Sequence, residues 1–414
     1  MPSVASSAAR SHRATLSPRL AFALVATVIG LALFASGTPS PLYGTYRELW
    51  GFSPLVLTLV YATYAFGVLT TLILAGRVSD EVGRRPVLLA ALTALMGASV
   101  LFMLADSVAW LFVARGIQGL ATGLALSAAS AALLDLHPAR DPIRVGLMNG
   151  VASAAGLGLG VLVSATLVEL APAPRVLPYV ALFILFAVTF AGVLRMPEPV
   201  AARSRPRLTP QRPGVPAVVR RPFALAALAL MSSWSVAGLF LSLGPQLSAN
   251  VFDATDHLVP VLGIVALAAS GAASQVVFGR AAPWLGATLG SIALAAGLLL
   301  IVLAAATDSR DVFLAGAIVG GAGFGVAFLG GLRVLSAAIP PAHRAEVMSA
   351  FYVVAYASLS VPAILAGVLV TPLGVEETFE LFGSAIAALA LVLAAMAWRT
   401  RPQPAPARLG YDAA

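Results

Sequence analysis

Gly76-Arg77-Val78-Ser79-Asp80-Glu81-Val82-Gly83-Arg84-Arg85-Pro86 is a charged, glycine-bounded turn set between two runs, near 54–76 and 87–105, that are almost wholly apolar. Each run is long enough to cross the hydrocarbon core of a bilayer as a helix, for which about 20 residues suffice. A short charged loop joining two such runs reads as the turn between two membrane spans, and the rest of the chain repeats the pattern.

Working outward, further apolar runs lie near 20–43, 109–134, 145–168 and 176–194, then near 223–245, 258–278, 285–305, 312–336, 347–370 and 379–398. Hydrophobic residues make up 60% of the chain and mean hydropathy is +0.95, which places it among membrane proteins. A strand edge facing lipid would leave backbone groups unpaired, and the runs lack the short alternation of barrel strands, so helices are expected. The fold class is therefore an all-α polytopic membrane protein with twelve transmembrane helices.

All 25 basic residues are arginine. Threading the runs as alternating spans puts 21 of them on one side, including Arg10, Arg13 and Arg19 before the first span and Arg399, Arg401 and Arg408 after the last. Arg47, Arg175 and Arg310 fall on the other side, and Arg115 within a span. Because arginine in short loops sets orientation, that bias predicts both termini in the cytoplasm of a bacterial-type plasma membrane. It also accounts for a pI near 10.5 without nucleic acid as a partner. The first run follows three arginines as a signal peptide would, but with eleven more spans it is expected to be retained. Absence of cysteine excludes disulfides and thiolate metal sites, and the four histidines, His12, His137, His257 and His343, suggest no metal cluster.

From Met196 to Pro222 the chain holds seven prolines and six arginines against the single acid Glu198, a composition that blocks regular helix. This interval divides the chain into an N-terminal bundle, 1–195, a cytoplasmic linker, 196–222, and a C-terminal bundle, 223–414. The halves echo each other: Gly76-Arg77 and Gly83 recur as Gly279-Arg280 and Gly286, Gly119 and Gly123 as Gly321 and Gly325, and Arg144 and Met148 as Arg344 and Met348. A parallel repeat of six spans implies two bundles about an axis along the membrane normal, with a site between them.

The opening stretch resembles the signature of the major facilitator superfamily, G-x-x-x-D-x-x-G-R-R/K, in the loop after the second span, and the resemblance extends over about residues 20–400. It implies a cytoplasmic gate built from Gly76, Asp80, Gly83, Arg84, Arg85 and Asp135. Asp80 would meet the N-terminus of helix eleven near Ala345–Met348, and Arg84 or Arg85 would pair with Asp135, latching the inner side closed. Glu81 stands where the family is usually basic. In the fourth span, Arg115-Gly116-Ile117-Gln118-Gly119-Leu120-Ala121-Thr122-Gly123 resembles the family's R-x-x-Q-G pattern. At 100° per residue Arg115, Gln118 and Thr122 share a face beside the small-residue stripe of Gly119 and Gly123. A guanidinium inside a span must face a cavity or a partner.

The fifth span carries Gly156-Leu157-Gly158-Leu159-Gly160-Val161 without the Gly-Pro of drug:proton antiporters, and its glycines read as a packing seam. Thr38-Pro39-Ser40-Pro41-Leu42-Tyr43 should break the first helix near its outer end. The family's cavity is lined by helices one, four, seven and ten, which places Arg115, Gln118, Trp234 and Phe324 as candidate substrate contacts, with Tyr64, Asn149 and Tyr356 added as polar or aromatic groups within spans. Acids lie only at span ends, and a proton is the candidate coupling ion. The expected activity is secondary active transport of a small organic solute by alternating access, with export favoured. A metabolite importer of organic acid or sugar, or a non-transporting receptor or scaffold of the same fold, is the alternative. Neither a nucleophile–base pair nor a metal motif marks an enzyme, no cofactor is implied, and a single chain is expected to suffice.

Overall fold

The structure is a computed structural model that describes residues 16–200, 210–254 and 256–401. Its helices are α1 (Pro18–Gly37), α2 (Tyr43–Trp50), α3 (Pro54–Ala75), α4 (Val78–Val82), α5 (Arg84–Met103), α6 (Val108–Leu136), α7 (Pro142–Leu170) and α8 (Leu177–Val193). The second half contains α9 (Arg220–Ser242), α10 (Gly244–Phe252), α11 (Leu262–Phe278), α12 (Pro283–Thr307), α13 (Arg310–Ala338), α14 (Arg344–Leu373) and α15 (Val375–Arg399). Among the described residues, eleven spans are long and apolar enough to cross a membrane, the first running from Pro18 through Trp50, and α8 adds a twelfth apolar helix of 17 residues. The all-α, twelve-span fold class expected from the sequence is thus observed. The loops after α3, α6, α8, α11, α13 and α15 gather at what is here termed the arginine-rich end.

Local chemistry explains the starts and breaks. Ser17 and Ser53 accept the N–H of Leu20 and Val56 and are each followed by a proline at the first helical position, where its missing N–H costs nothing. The first span breaks where the sequence predicts: Pro39 and Pro41 interrupt it, and a 3₁₀ turn at Ser40–Leu42 re-aims the chain into α2. The second half repeats the device, since α9 stops at Ser242 and α10 begins at Gly244 with Pro245. These breaks free carbonyls. Leu241 would bond the N–H of residue 245, a proline, and its oxygen instead accepts from Ser40 Oγ at 2.8 Å. One broken helix thereby ties to the other across the two bundles.

Within bundles, small residues let backbones meet. A Cβ on Gly297 of α12 would stand 2.1 Å from the backbone nitrogen of Gly320 in α13, and one on Gly156 of α7 would stand 2.0 Å from the carbonyl oxygen of Gly30 in α1. The glycines of α7 divide between two neighbours: Gly156 and Gly160 face α1, whereas Gly150 and Gly158 face Gln275 and Ala268 of α11 in the opposite bundle. Between bundles, α3 packs on α14 and α7 on α11. Exposed residues such as Val188 and Val277 form the apolar surface that lipid would cover.

Candidate functional site

At mid-height the bundles meet through aromatic rings. Trp234 of α9 packs edge-on against Tyr356 of α14, with ring centroids 5.2 Å apart, and 6.1 Å from Phe328 of α13, which continues to Phe351 at 6.5 Å. Tyr61 and Tyr64 of α3 join the same core from the other bundle. Phe324, one turn before Phe328, lines an apolar cavity of about 30 Å³ together with Ala154 and Leu157 of α7 and Phe240 of α9. A single water needs about 10–15 Å³ by the same measure, so this is space for a water or two and not for a solute. The structure therefore brings Tyr64, Trp234, Phe324 and Tyr356 to one interface, closed around itself. Asn149 lies elsewhere: its amide donates to Ser130 Oγ at 2.6 Å, tying α7 to α6.

Arg115 is 0% exposed and sits seven residues into α6, about 10 Å from that helix's start. Its partners all come from the first bundle. Nε and Nη2 donate to the hydroxyl of Tyr43 (2.9 Å for Nε), while Nη1 donates to the Ser36 carbonyl at 3.1 Å and to Gln118 Oε1 at 2.7 Å. The rings of Tyr43, Tyr61 and Tyr64 surround the guanidinium at 5.4–6.0 Å. The break in the first span explains this arrangement. Ala35 would bond the N–H of residue 39, a proline, and its carbonyl accepts instead from Gln118 Nε2 at 2.9 Å. The Arg115–Gln118 pair, one turn apart on one face, thus replaces the backbone partners that the break removes. Thr122, on the same face, is fully buried.

At the arginine-rich end the charged turn folds as the short helix α4 followed by α5. Arg84 reaches Asp135 at the end of α6 with Nε–Oδ2 3.0 Å, donates to Ser79 Oγ at 2.7 Å and pairs with Asp80. Arg85 turns away and donates to the Leu194 carbonyl. Asp80, 55% exposed at its side chain, directs its ion pair to Arg84. The N-terminal turn of α14 is met instead by the linker: Gly214 N–H donates to the Glu346 carbonyl at 3.2 Å, Ser349 Oγ to the Gln211 carbonyl at 3.2 Å, and Gln211 N–H to the Ile73 carbonyl of α3 at 2.9 Å. Glu198 accepts the backbone N–H groups of Arg84 and Arg85 at 2.9 and 3.0 Å, capping the positive end of α5.

Sequence reasoning missed Tyr43 and Glu198 as members of these networks. The signal for Glu198 was present, because it is the single acid in the arginine-rich interval; that for Tyr43 was not, because its role depends on where the break aims it. At the arginine-poor end Arg47 Nη1 donates to Gln246 Oε1 at 3.2 Å between the bundles. No group of three or more His, Cys, Asp or Glu able to hold a metal occurs among the described residues.

The comparisons with known proteins agree with this architecture. The Major Facilitator Superfamily profile matches residues 25–307. A segment of 146 residues is 28% identical to the multidrug transporter protein MdtP of Bacillus subtilis (strain 168), covering 33% of this chain and 27% of that protein. A segment of 122 residues is 31% identical to the multidrug resistance protein MdtL of Klebsiella pneumoniae (strain 342), covering 29% and 31% respectively. The matched segments thus span only about a third of either relative. The crystal structure of the human organic anion transporter MFSD10 (TETRAN) superposes with a TM-score of 0.65 at 17% identity, over 92% of this chain and 100% of that one, a likeness of fold. An all-helical membrane architecture and a profile match over more than half the chain lead to one conclusion: this chain belongs to the Major Facilitator Superfamily.

Proposed function

We propose that the chain is a secondary active exporter of small, largely apolar organic solutes, working by alternating access as a single chain in the plasma membrane. In this reading residues 1–195 and 223–414 rock about the 196–222 linker, and the arginine-rich end and both termini are cytoplasmic. One observation carries the substrate class: the rings that meet between the bundles, Tyr64, Trp234, Phe324, Phe328 and Tyr356, offer apolar faces and few hydrogen-bonding groups. Such a surface takes planar or amphipathic molecules and discriminates weakly, because aromatic packing lacks the directional demand of a polar site. Arg115 and Gln118 form the wall behind Tyr64. Arg84, Asp135, Asp80 and Glu198 hold the cytoplasmic end of the first bundle, and the named multidrug relatives support export.

The test is transport in proteoliposomes with the arginine-rich end outward. Lipophilic dyes should be concentrated inside when a pH gradient is imposed, and Trp234→Ala should lower the rate at least several-fold. Uptake driven in the opposite sense, or a requirement for polar solutes such as sugars, would overturn the assignment. Transport indifferent to the pH gradient would exclude the proton as coupling ion.

A further inference from the structure

At the arginine-poor end, the loop that precedes α11 inserts His257 of the second bundle between two elements of the first. Its Nδ1 lies 2.9 Å from Glu169 Oε2 at the end of α7, and its backbone N–H donates to the same oxygen at 2.9 Å. The opposite ring nitrogen, Nε2, lies 3.5 Å from Thr45 Oγ1 of α2. The side chains of His257 and Glu169 are 41% and 30% exposed, so water reaches the pair directly. Other charges nearby are already engaged. Asp256 caps the N–H groups of Leu258 and Val259 at 2.8 and 2.7 Å, Arg47 bonds Gln246, and Glu376 accepts from Asn250 at 2.6 Å, while Glu48 of α2 is exposed.

We propose that His257, held by Glu169 and Thr45, is a proton-binding site on the arginine-poor face whose occupancy keeps that face closed. A neutral imidazole donates through Nδ1 to Glu169 and accepts from Thr45 through Nε2. In the protonated ring the Nδ1 bond to the carboxylate becomes charge-assisted, and Nε2 turns from acceptor to donor toward Thr45 Oγ1. When the bundles part at this end, His257 and Glu169 separate because they belong to different bundles. The closed form therefore binds the proton more tightly than the open one, and by linkage acid shifts the population toward closure. The direction follows from the charge: the clamp is stronger when the ring is protonated and weaker when it is neutral. For a water-exposed pair the expected change in the closed-to-open ratio between pH 8 and pH 5 is about two- to fivefold. The proposal requires that the bundles part at this face, not that the chain exports any particular solute.

The chain has no cysteine, so spin labels at Leu104→Cys and Thr307→Cys, at the far ends of α5 and α12, report opening of this face without interference. Distance distributions measured by double electron–electron resonance on the full chain in nanodiscs, without solute, should shift toward the shorter population as pH falls from 8 to 5. His257→Gln, neutral throughout, should abolish the shift, and Glu169→Gln should do the same if the first variant does not purify monodisperse. Arg47→Ala is the control: it should raise the open fraction at every pH and leave the pH response intact. An unchanged distribution between pH 5 and 8 in the unmodified protein, or a shift that survives in His257→Gln, would overturn the proposal.

Discussion

Oε2 of Glu198 lies 2.6 Å from the point at which a Cβ on residue 83 would stand, and Gly83 holds φ at +112°. The glycine of the charged turn therefore has two reasons to be glycine: a backbone conformation that side chains rarely adopt, and a linker carboxylate filling the space a side chain would need. The carboxylate is there because the first turn of α5 presents two N–H groups and a positive dipole end.

Gly83→Ala should thus destabilise the protein by about 1–3 kcal/mol. The contributions separate in a double-mutant cycle with Glu198→Ala, since only the steric part depends on Glu198. Thermal melting of the four proteins is the measurement, and strictly additive losses would show that Glu198 does not press on residue 83.

Arg84→Ala should cost more than Asp80→Asn. Arg84 is 10% exposed at its side chain and serves Asp80, Asp135 and Ser79, whereas Asp80 is 55% exposed. An exposed partner is worth about 0.2–1 kcal/mol, while an arginine bonded to several groups contributes about 1.5–3 kcal/mol for its charged bonds. Both variants should lower turnover more than substrate affinity, because the network fixes a conformation and does not touch solute. Melting temperatures and paired rate and binding measurements check the order, and equal loss in the two variants would remove Arg84 from its central position.

For Arg115 the two candidate roles give opposite results. As the group that replaces the lost backbone partners of the first span, its change to lysine or alanine should lower the melting temperature, with a stability loss of about 1–3 kcal/mol for each buried acceptor that alanine leaves unpaired, and leave solute affinity in surviving protein within a few-fold of the original. As a ligand for an anionic solute, Arg115→Lys should instead weaken binding while the protein stays folded, because lysine lacks the planar fork. Melting and equilibrium binding on the same purified variants decide between them. Because Arg115 is 0% exposed, the first outcome is the expected one.

Gly158→Leu should shift the bundles rather than unfold either. A Cβ there meets the Ala268 side chain of the opposite bundle at 2.9 Å, so a larger group opposes the α7–α11 seam, by about 1–3 kcal/mol. Gly156→Leu, directed at the Gly30 backbone within one bundle, should instead abolish expression. Distances between spin labels on the two bundles, together with expression levels, separate the effects.

Single cysteines at Ala139 and Thr307, both exposed and at opposite ends of the molecule, test the proposed orientation. An impermeant thiol reagent added to intact cells should label only Thr307. Labelling at Ala139 would invert the topology, and with it the direction of transport. The arginine-rich stretch 201–209 lies outside the described residues.

The number of spans, their helical nature and the position of the charged turn between the second and third were legible in the sequence, because hydrocarbon imposes a length and a polarity on each segment separately. So was the break in the first span, since proline acts on its own helix. Which groups answer that break was not legible. Gln118 meets the Ala35 carbonyl and Ser40 the Leu241 carbonyl because helices far apart in the chain are brought side by side, and partners across 83 and 201 residues leave no local pattern. The same holds for Arg84 rather than Arg85 facing Asp135, for Glu198 folding back onto α5 and for His257 reaching Glu169. Spans are fixed one at a time by their solvent, whereas polar partners inside the protein are fixed by packing, and only the tertiary structure decides which freed donor or acceptor lies within about 3 Å of another.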